Sequence, residues 1–381
     1  MALSLNFHKE ADQVLFTGNS CVKTVTLNRT QKLNTLSFDM ICQIKRYLQM
    51  YEKDPSVKLV ILKANGKAFC AGGDIVSVTV CSLAAGHWTT SLFFYKKLLT
   101  LEYLIATCPK PTVSLINGIV MGAGAGLSMN TNFRVVTEKA IFAMPETFIG
   151  HVPDVGASYF LSRLPGYFGE YIGLTGAKLD GAEMVACGLA THFVHSLKLN
   201  TLESVLQSIT SDVTMATLIE TFTDKAVLKE DSSFKRLEVI NKCFSKGTVE
   251  EIIICLEKEL ENGGEKWIKD ALSSMSSSCP LSLKIFLKSI RLGRVQNFKQ
   301  CLHRDYTIGA HILRRTVSND FYEGSRARLF SKDNKPKWEP SKLELVSDEM
   351  VDQCLRNVDD EDLECLELSD HRSNSQIQSR L

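Results

Sequence analysis

Apolar and polar positions along the chain follow two regimes. Between about residues 20 and 200, short runs with strand character alternate with stretches of helical period. The segment Val-Lys-Thr-Val-Thr-Leu-Asn from Val22 alternates small polar with apolar residues and predicts a strand. Lys58-Leu-Val-Ile-Leu-Lys63 and Thr112-Val-Ser-Leu-Ile-Asn117 are short apolar runs closed by turn residues, and they predict two more. Ser37 is placed to cap a helix through residues 39–48, whose Met40, Ile41, Ile44, Tyr47 and Leu48 recur at three- and four-residue spacings. Strands alternating with helices in this way predict an α/β layout.

Beyond about Asn200 the period becomes helical. Residues 202–209, 249–260, 281–292 and 295–302 read as amphipathic helices, separated by turn signals such as Asn262-Gly-Gly264 and Ser276-Ser-Ser-Cys-Pro280. The serine-rich stretch 273–278 reads as a loop, and within the α/β region Val155 to Leu164 is expected to form a helix that Asp154 could cap. The chain therefore divides into an α/β region at 1–200, a helical region at 201–345 and a polar tail at 346–381.

Composition narrows the function classes. The chain has 381 residues, 44 Lys and Arg against 43 Asp and Glu, and a formal charge of +1, which argues against a basic nucleic-acid-binding arm. Apolar residues at 44% and charged residues at 23% suffice for an ordinary buried core. No window offers about 20 uncharged apolar residues, so neither a membrane span nor export is expected. Twelve cysteines lie scattered without C-x-x-C spacing, which predicts free thiols in a reducing compartment. The terminal Ser379-Arg380-Leu381 differs from the peroxisomal tripeptide S-K-L by one cation exchanged for another, so a peroxisomal import receptor is an expected partner.

Candidate chemistry gathers in three segments. Ala68-Phe-Cys-Ala-Gly-Gly-Asp-Ile75 follows the second predicted strand, and Gly118-Ile-Val-Met-Gly-Ala-Gly-Ala-Gly-Leu127 follows the third. Small side chains let a ligand approach the backbone, and a helix starting just after presents unpaired N–H groups, so two such turns could aim two donors at one carbonyl oxygen. Tight turns or close helix packing would ask for the same glycines. A dinucleotide fingerprint at 122–127 fails on the bulky Leu127. In the third segment, residues 142–156, Glu146 and Asp154 are acids in an apolar stretch. They are candidates for acid–base or nucleophilic work, or for capping. No G-x-S-x-G, H-E-x-x-H or phosphate-cradling G-x-x-x-x-G-K-[ST] occurs, His192 and His195 read as structural, and Cys70 reads as a packing residue.

Together, Ala68 to Ile75, Asn117 to Gly126 and Ala143-Met-Pro-Glu-Thr-x-Ile-Gly-x-x-Pro-Asp-Val-Gly156 resemble the crotonase (enoyl-CoA hydratase/isomerase) superfamily. Within it the chain is most similar to 3-hydroxyisobutyryl-CoA hydrolases of the plant peroxisomal branch. The resemblance covers about residues 20–345. It implies a core of repeated ββα units with a helical C-terminal region, and a thioester oxyanion hole made by the N–H groups of Gly73 and Ala123. It casts Glu146 as the catalytic carboxylate and Asp154 as its partner, and it places Leu33 and Ala71 near the CoA adenosine, with Arg29 or Lys32 reaching its phosphates. It implies no cofactor, CoA being part of the substrate, and it leaves a homo-oligomer open.

The second glutamate that hydratases carry corresponds to Gly126, and a substrate-contacting glutamate corresponds to Leu98, with Glu102 one turn on. The reaction so implied is hydrolysis of a short 3-hydroxyacyl-CoA, as in valine breakdown. A non-catalytic acyl-CoA binder and an enoyl-CoA hydratase or isomerase stand as alternatives.

Overall fold

The computed structural model describes residues 12–209 and 215–369. Residues 370–381, the tripeptide at 379–381 among them, lie outside the described residues, whereas 346–369 of the expected polar tail form a helix at Asp348–Leu355 and bury Val346, Val351, Cys354 and Leu366 in the core. The strands are β1 (Val14–Gly18), β2 (Val22–Leu27), β3 (Leu59–Ala64), β4 (Ala68–Cys70), β5 (Thr112–Ile116), β6 (Ile119–Met121), β7 (Phe133–Val136), β8 (Ile141–Ala143), β9 (Leu179–Asp180) and β10 (His192–Phe193). They form a six-stranded sheet ordered β1-β2-β3-β5-β7-β10 and a four-stranded sheet ordered β4-β6-β8-β9. From β2 to β10 the large sheet is parallel, with β1 antiparallel at its edge.

The pairs β3/β4, β5/β6 and β7/β8 each contribute one strand to either sheet. The first two lead into helices: α1 (Phe38–Lys53) precedes them, α2 (Ile75–Ala85) and α3 (Thr89–Thr107) follow β4, and α4 (Ala123–Met129) follows β6. This is the repeated ββα arrangement expected of the chain, and all three strands read from the sequence form within a residue of their expected bounds.

Helix α1 starts where its cap predicts, with Ser37 Oγ accepting the Met40 N–H at 3.2 Å. It buries Met40, Ile41, Ile44 and Leu48, while Tyr47 stacks on Phe16 of β1 with ring centroids 3.7 Å apart. The runs in β3 and β5 are continuously apolar because both sheet faces are covered. Leu59, Ile61 and Val113 pack on one side with Leu199, Leu202, Leu206 and Ile219 of the later helices. Val60, Leu62 and Ile116 pack on the other, in the main core.

After α5 (Ala157–Phe160), α6 (Phe168–Thr175) and α7 (Gly181–Ala186), the chain is helical: α8 (Ser196–Gln207), α9 (Met215–Glu220), α10 (Leu237–Phe244), α11 (Val249–Glu261), α12 (Lys266–Ser277), α13 (Pro280–Gly293) and α14 (Phe298–Arg314). Helix α14 lies against α3 and α13 against α5 and α6, so one hydrophobic core runs through both regions.

Three sequence expectations give way to tertiary detail. The helix expected at 295–302 begins only at Phe298, because Asn297 caps it reciprocally with Gln300 and leaves Val295 87% exposed in the preceding turn. The serine stretch 273–278 is the last turn of α12 and not a loop. Ser276 and Ser277 bond back to the carbonyls of Ser273 and Ser274, each at 3.0 Å, while Ile268, Ala271 and Met275 anchor the buried face. The helix expected at 155–164 breaks up, since Val155 takes a positive φ of 54° and only Ala157–Phe160 is α-helical. Asp154 does not cap it with its side chain; that carboxylate is engaged elsewhere.

Candidate active site

Parallel pairing of β4 with β6, with Cys70 opposite Val120, brings the two glycine segments side by side. The close approach requires glycine at two points. Gly122 has φ 49° and ψ −123°, a conformation that L side chains rarely adopt, and a Cβ there would fall 2.6 Å from Glu146 Oε1. At Gly124 a Cβ would fall 2.2 Å from the Cys70 carbonyl oxygen, so α4 rests directly on β4. Ala123 occupies the first turn of α4, where N–H groups have no acceptor within the helix. Across from it, Gly73 lies between Asp74, whose N–H bonds the Leu36 carbonyl at 3.0 Å, and Gly72, whose carbonyl receives the Leu36 N–H at 2.9 Å. The chain is thus pinned on both sides of the Gly73 amide. Gly73 and Ala123 both line a cavity of about 800 Å³.

Glu146 and Asp154 face that same cavity, and the turn carrying them explains how. Residues Glu146–Ile149 form a 3₁₀ turn closed by Gly150 in the left-handed region, and both Gly150 and His151 donate their N–H to the Glu146 carbonyl. The Glu146 carboxylate therefore stands over the Gly122 backbone, with Oε2 buried and without a hydrogen-bond partner among the described residues. Asp154 is buried and accepts a hydrogen bond from the Tyr95 hydroxyl of α3. His151 Nδ1 lies 3.9 Å from Asp154 Oδ2 and 2.9 Å from the Val152 carbonyl oxygen.

Burial and the neighbouring Asp154 hold the Glu146 carboxyl well above the usual carboxylate range. Burial also raises Asp154, opposed by His151 and by the Tyr95 hydrogen bond. Two carboxyls facing one cavity titrate as a pair rather than singly.

A second, deeper layer of acid lies behind them. Glu102 of α3 is fully buried, neither of its oxygens has a hydrogen-bond partner among the described residues, and burial followed by Asp154 and Asp305 pushes its carboxyl well above the usual range. Asp305 of α14, pushed up to about 7 mainly by burial, accepts the Gly156 N–H at 2.8 Å and so braces the loop that carries Asp154. Glu102 is not on the cavity wall; Leu98, one turn earlier, is.

The structure thus brings Glu146, Asp154, Gly73, Ala123, Leu98 and Ala71 around one cavity. Leu33 sits just outside the wall, 40% exposed, and holds the loop by accepting the Ala71 N–H at 3.1 Å. Of the two cations named for phosphate, Arg29 is already paired with Asp74 at 2.8 Å and bonded to Thr35. Exposed Lys32 lines the cavity and forms no ion pair among the described residues, so it is the cation available at the mouth. Sequence reasoning missed Tyr95, His151 and Asp305. Asp305 and Tyr95 gave no local signal, whereas His151 is a polar residue in the same apolar stretch that singled out Glu146 and Asp154.

Residues 22–355 match the family model described as enoyl-CoA hydratase/isomerase. The chain is 51% identical over 352 residues, 92% of this chain and 93% of the relative, to 3-hydroxyisobutyryl-CoA hydrolase 1 of Arabidopsis thaliana. It is 40% identical over 367 residues, 95% and 93% of the two chains, to the mitochondrial 3-hydroxyisobutyryl-CoA hydrolase of Mus musculus. Among solved structures, it is similar to the crystal structure of a carnitinyl-CoA dehydratase from Mycobacterium thermoresistibile, with a TM-score of 0.83, 31% identity and coverage of 92% of this chain and 98% of that one. With two pinned main-chain loops meeting beneath one buried carboxyl pair, and with these matches over nearly its whole length, the chain belongs to the enoyl-CoA hydratase/isomerase family.

Proposed function

We propose that the protein hydrolyses the thioester of a short 3-hydroxyacyl-CoA, with 3-hydroxyisobutyryl-CoA, an intermediate of valine breakdown, as substrate. The observation that carries this reading is the position of the Glu146 carboxylate over Gly122, beside the Gly73 and Ala123 amides. A thioester carbonyl seated between those N–H groups has its developing negative charge stabilised by fixed donors, each contributing about 3 kcal/mol. Glu146 then attacks the carbonyl carbon, forming an acyl–glutamyl anhydride and expelling the CoA thiolate. Water cleaves the anhydride and restores the carboxylate. Asp154, buried and facing the acyl end of the cavity, accepts the hydrogen bond of the substrate 3-hydroxyl. An acyl group without that hydroxyl strands a buried acceptor and is rejected.

Hydration across a double bond fits poorly. A side chain at Gly126, the position of the second hydratase acid, would place its Cβ 2.2 Å from Glu102 Oε1 and 2.8 Å from Val155 Cβ, and Glu102 itself does not reach the cavity wall.

The test is thiol release from a panel of short acyl-CoAs, including 3-hydroxyisobutyryl-CoA and isobutyryl-CoA, by the wild type and Glu146→Gln. Release that needs both Glu146 and the 3-hydroxyl is the expected result. Tight CoA-ester binding without release would identify a binding protein, and loss of enoyl absorbance without thiol would identify a hydratase.

We further propose delivery to peroxisomes through Ser379-Arg380-Leu381, supported by the tripeptide itself. A fluorescent fusion should enter peroxisomes only while those residues remain at its C-terminus, and unchanged targeting without them would refute the proposal.

A further inference from the structure

Hydrolysis through an anhydride needs a base in its second half, because Glu146 is then acylated and cannot take a proton from water. The other groups on the cavity wall are largely committed. Asp154 accepts the Tyr95 hydroxyl, and that hydroxyl is spent on Asp154. Ser91 donates to the Val78 carbonyl at 2.6 Å. Arg29 is paired with Asp74, and Lys32 is a cation at the mouth.

His151 differs from all of these. It is buried, lines the cavity with Glu146 and Asp154, and is tied to Glu146 by its own amide, which donates to the Glu146 carbonyl at 3.1 Å. Its ring is held edge-on between Tyr95 and Phe321, at centroid distances of 6.0 and 5.5 Å. Nδ1 stands 2.9 Å from the Val152 carbonyl oxygen, and a carbonyl only accepts, so in the neutral ring Nδ1 carries the hydrogen. Nε2 is left with a lone pair and no hydrogen-bond partner among the described residues. A ring oriented by one nitrogen and open at the other, beside a carboxylate 3.9 Å away, has the geometry of a positioned base.

We propose that His151 is the general base of the deacylation half-reaction, acting on the water that cleaves the Glu146 anhydride. The water oxygen bonds to the acyl carbon, the bond from that carbon to the Glu146 oxygen breaks, and Glu146 leaves as carboxylate with the electron pair. The water proton passes to His151 Nε2. From there it passes to solvent, which protonates the CoA thiolate released in the first half, so that free thiol and hydroxy acid are the products. Asp154 faces the imidazolium while it is charged. The inference rests on the anhydride reading of the hydrolase given above.

The experiment is rapid-quench kinetics of thiol release from 3-hydroxyisobutyryl-CoA, with mass analysis of the acid-quenched protein. His151→Asn keeps an N–H near the Nδ1 position and deletes the Nε2 lone pair; His151→Gln is the second variant, used if the first loses its thermal transition. The variant is expected to release one equivalent of thiol per site at close to the wild-type rate. It should then turn over about 10²-fold or more below wild type, with the acyl group found on the Glu146 peptide. Wild-type turnover in a folded variant, or equal loss in both phases without an acylated peptide, would overturn the proposal. If the wild type itself releases no thiol from any acyl-CoA, the hydrolase reading fails and this proposal fails with it. Glu146→Gln separates the halves, since it should abolish the first phase as well.

Discussion

The two walls of the cavity are built on opposite plans. One wall is backbone: Gly72, Gly73, Gly122 and Ala123 offer main-chain atoms, and their placement follows from two adjacent parallel strands ending at the same level. The other wall is side chain: Glu146, His151 and Asp154 hang from one turn and take their directions from Tyr95 on α3, Asp305 on α14 and the Gly150 reversal. The backbone wall works through main-chain atoms, so an added side-chain atom harms it where a Cβ has no room, as at Gly122. The acid wall needs specific groups in a medium that opposes their charge, so its chemistry is set by burial and by what supports it from behind.

Exchange of single groups breaks this contrast in graded steps. The largest effect is expected on the acid wall. Glu146→Gln keeps the shape and removes the carboxylate, and thiol release should fall by about 10³-fold or more while CoA-ester binding persists. A loss confined to affinity would remove Glu146 from the chemistry.

On the backbone wall, Gly122→Ala adds one methyl 2.6 Å from Glu146 Oε1 at a φ of 49°. It should tilt the neighbouring Ala123 amide away from the carbonyl oxygen and cost about 10²-fold in kcat, roughly the worth of one oxyanion donor, with a smaller change in KM. Equal activity in this variant would show that the Gly122 turn does not position the donor.

The smallest effect on catalysis and the clearest on stability belongs to Glu102, which stands behind the acid wall and off the cavity. Its carboxyl is raised in the folded chain, so the folded state holds a proton that the unfolded chain gives up near pH 4.3. The stability from this group is complete below that value. It falls as pH rises toward the folded-state pKa, with a slope of at most about 1.4 kcal/mol per pH unit for one proton. Glu102→Gln should flatten this part of the stability profile while leaving turnover within about threefold of wild type. Thermal unfolding followed from pH 5 upward checks it, and an unchanged slope would show that Glu102 does not titrate between the two states.

The elements that sequence pattern predicted well are those whose signal is local. The strands at 22, 59 and 112 and the capped helix after Ser37 each carry their period and punctuation within ten or so residues. Expectations failed where a distant contact overrules local preference. Val155 adopts a positive φ because the loop it belongs to is held through Gly156 by Asp305, about 150 positions away. The serines at 273–278 stay helical because Met275 and its neighbours are anchored in the core. Leu33, whose expected place is near the CoA adenosine, lies just outside the cavity wall, where its carbonyl holds the Ala71 loop.

The sequence alone determined that two glycine turns follow two strands and that two acids sit where water is scarce, because composition and spacing are properties of the chain itself. Only the tertiary structure decided that the turns end side by side, that one acid stands over their glycines while Tyr95 holds the other, and that Glu102 is sealed away from the cavity. Those outcomes depend on strand register, on helix packing and on the removal of water from particular atoms, and each joins residues that the chain keeps far apart.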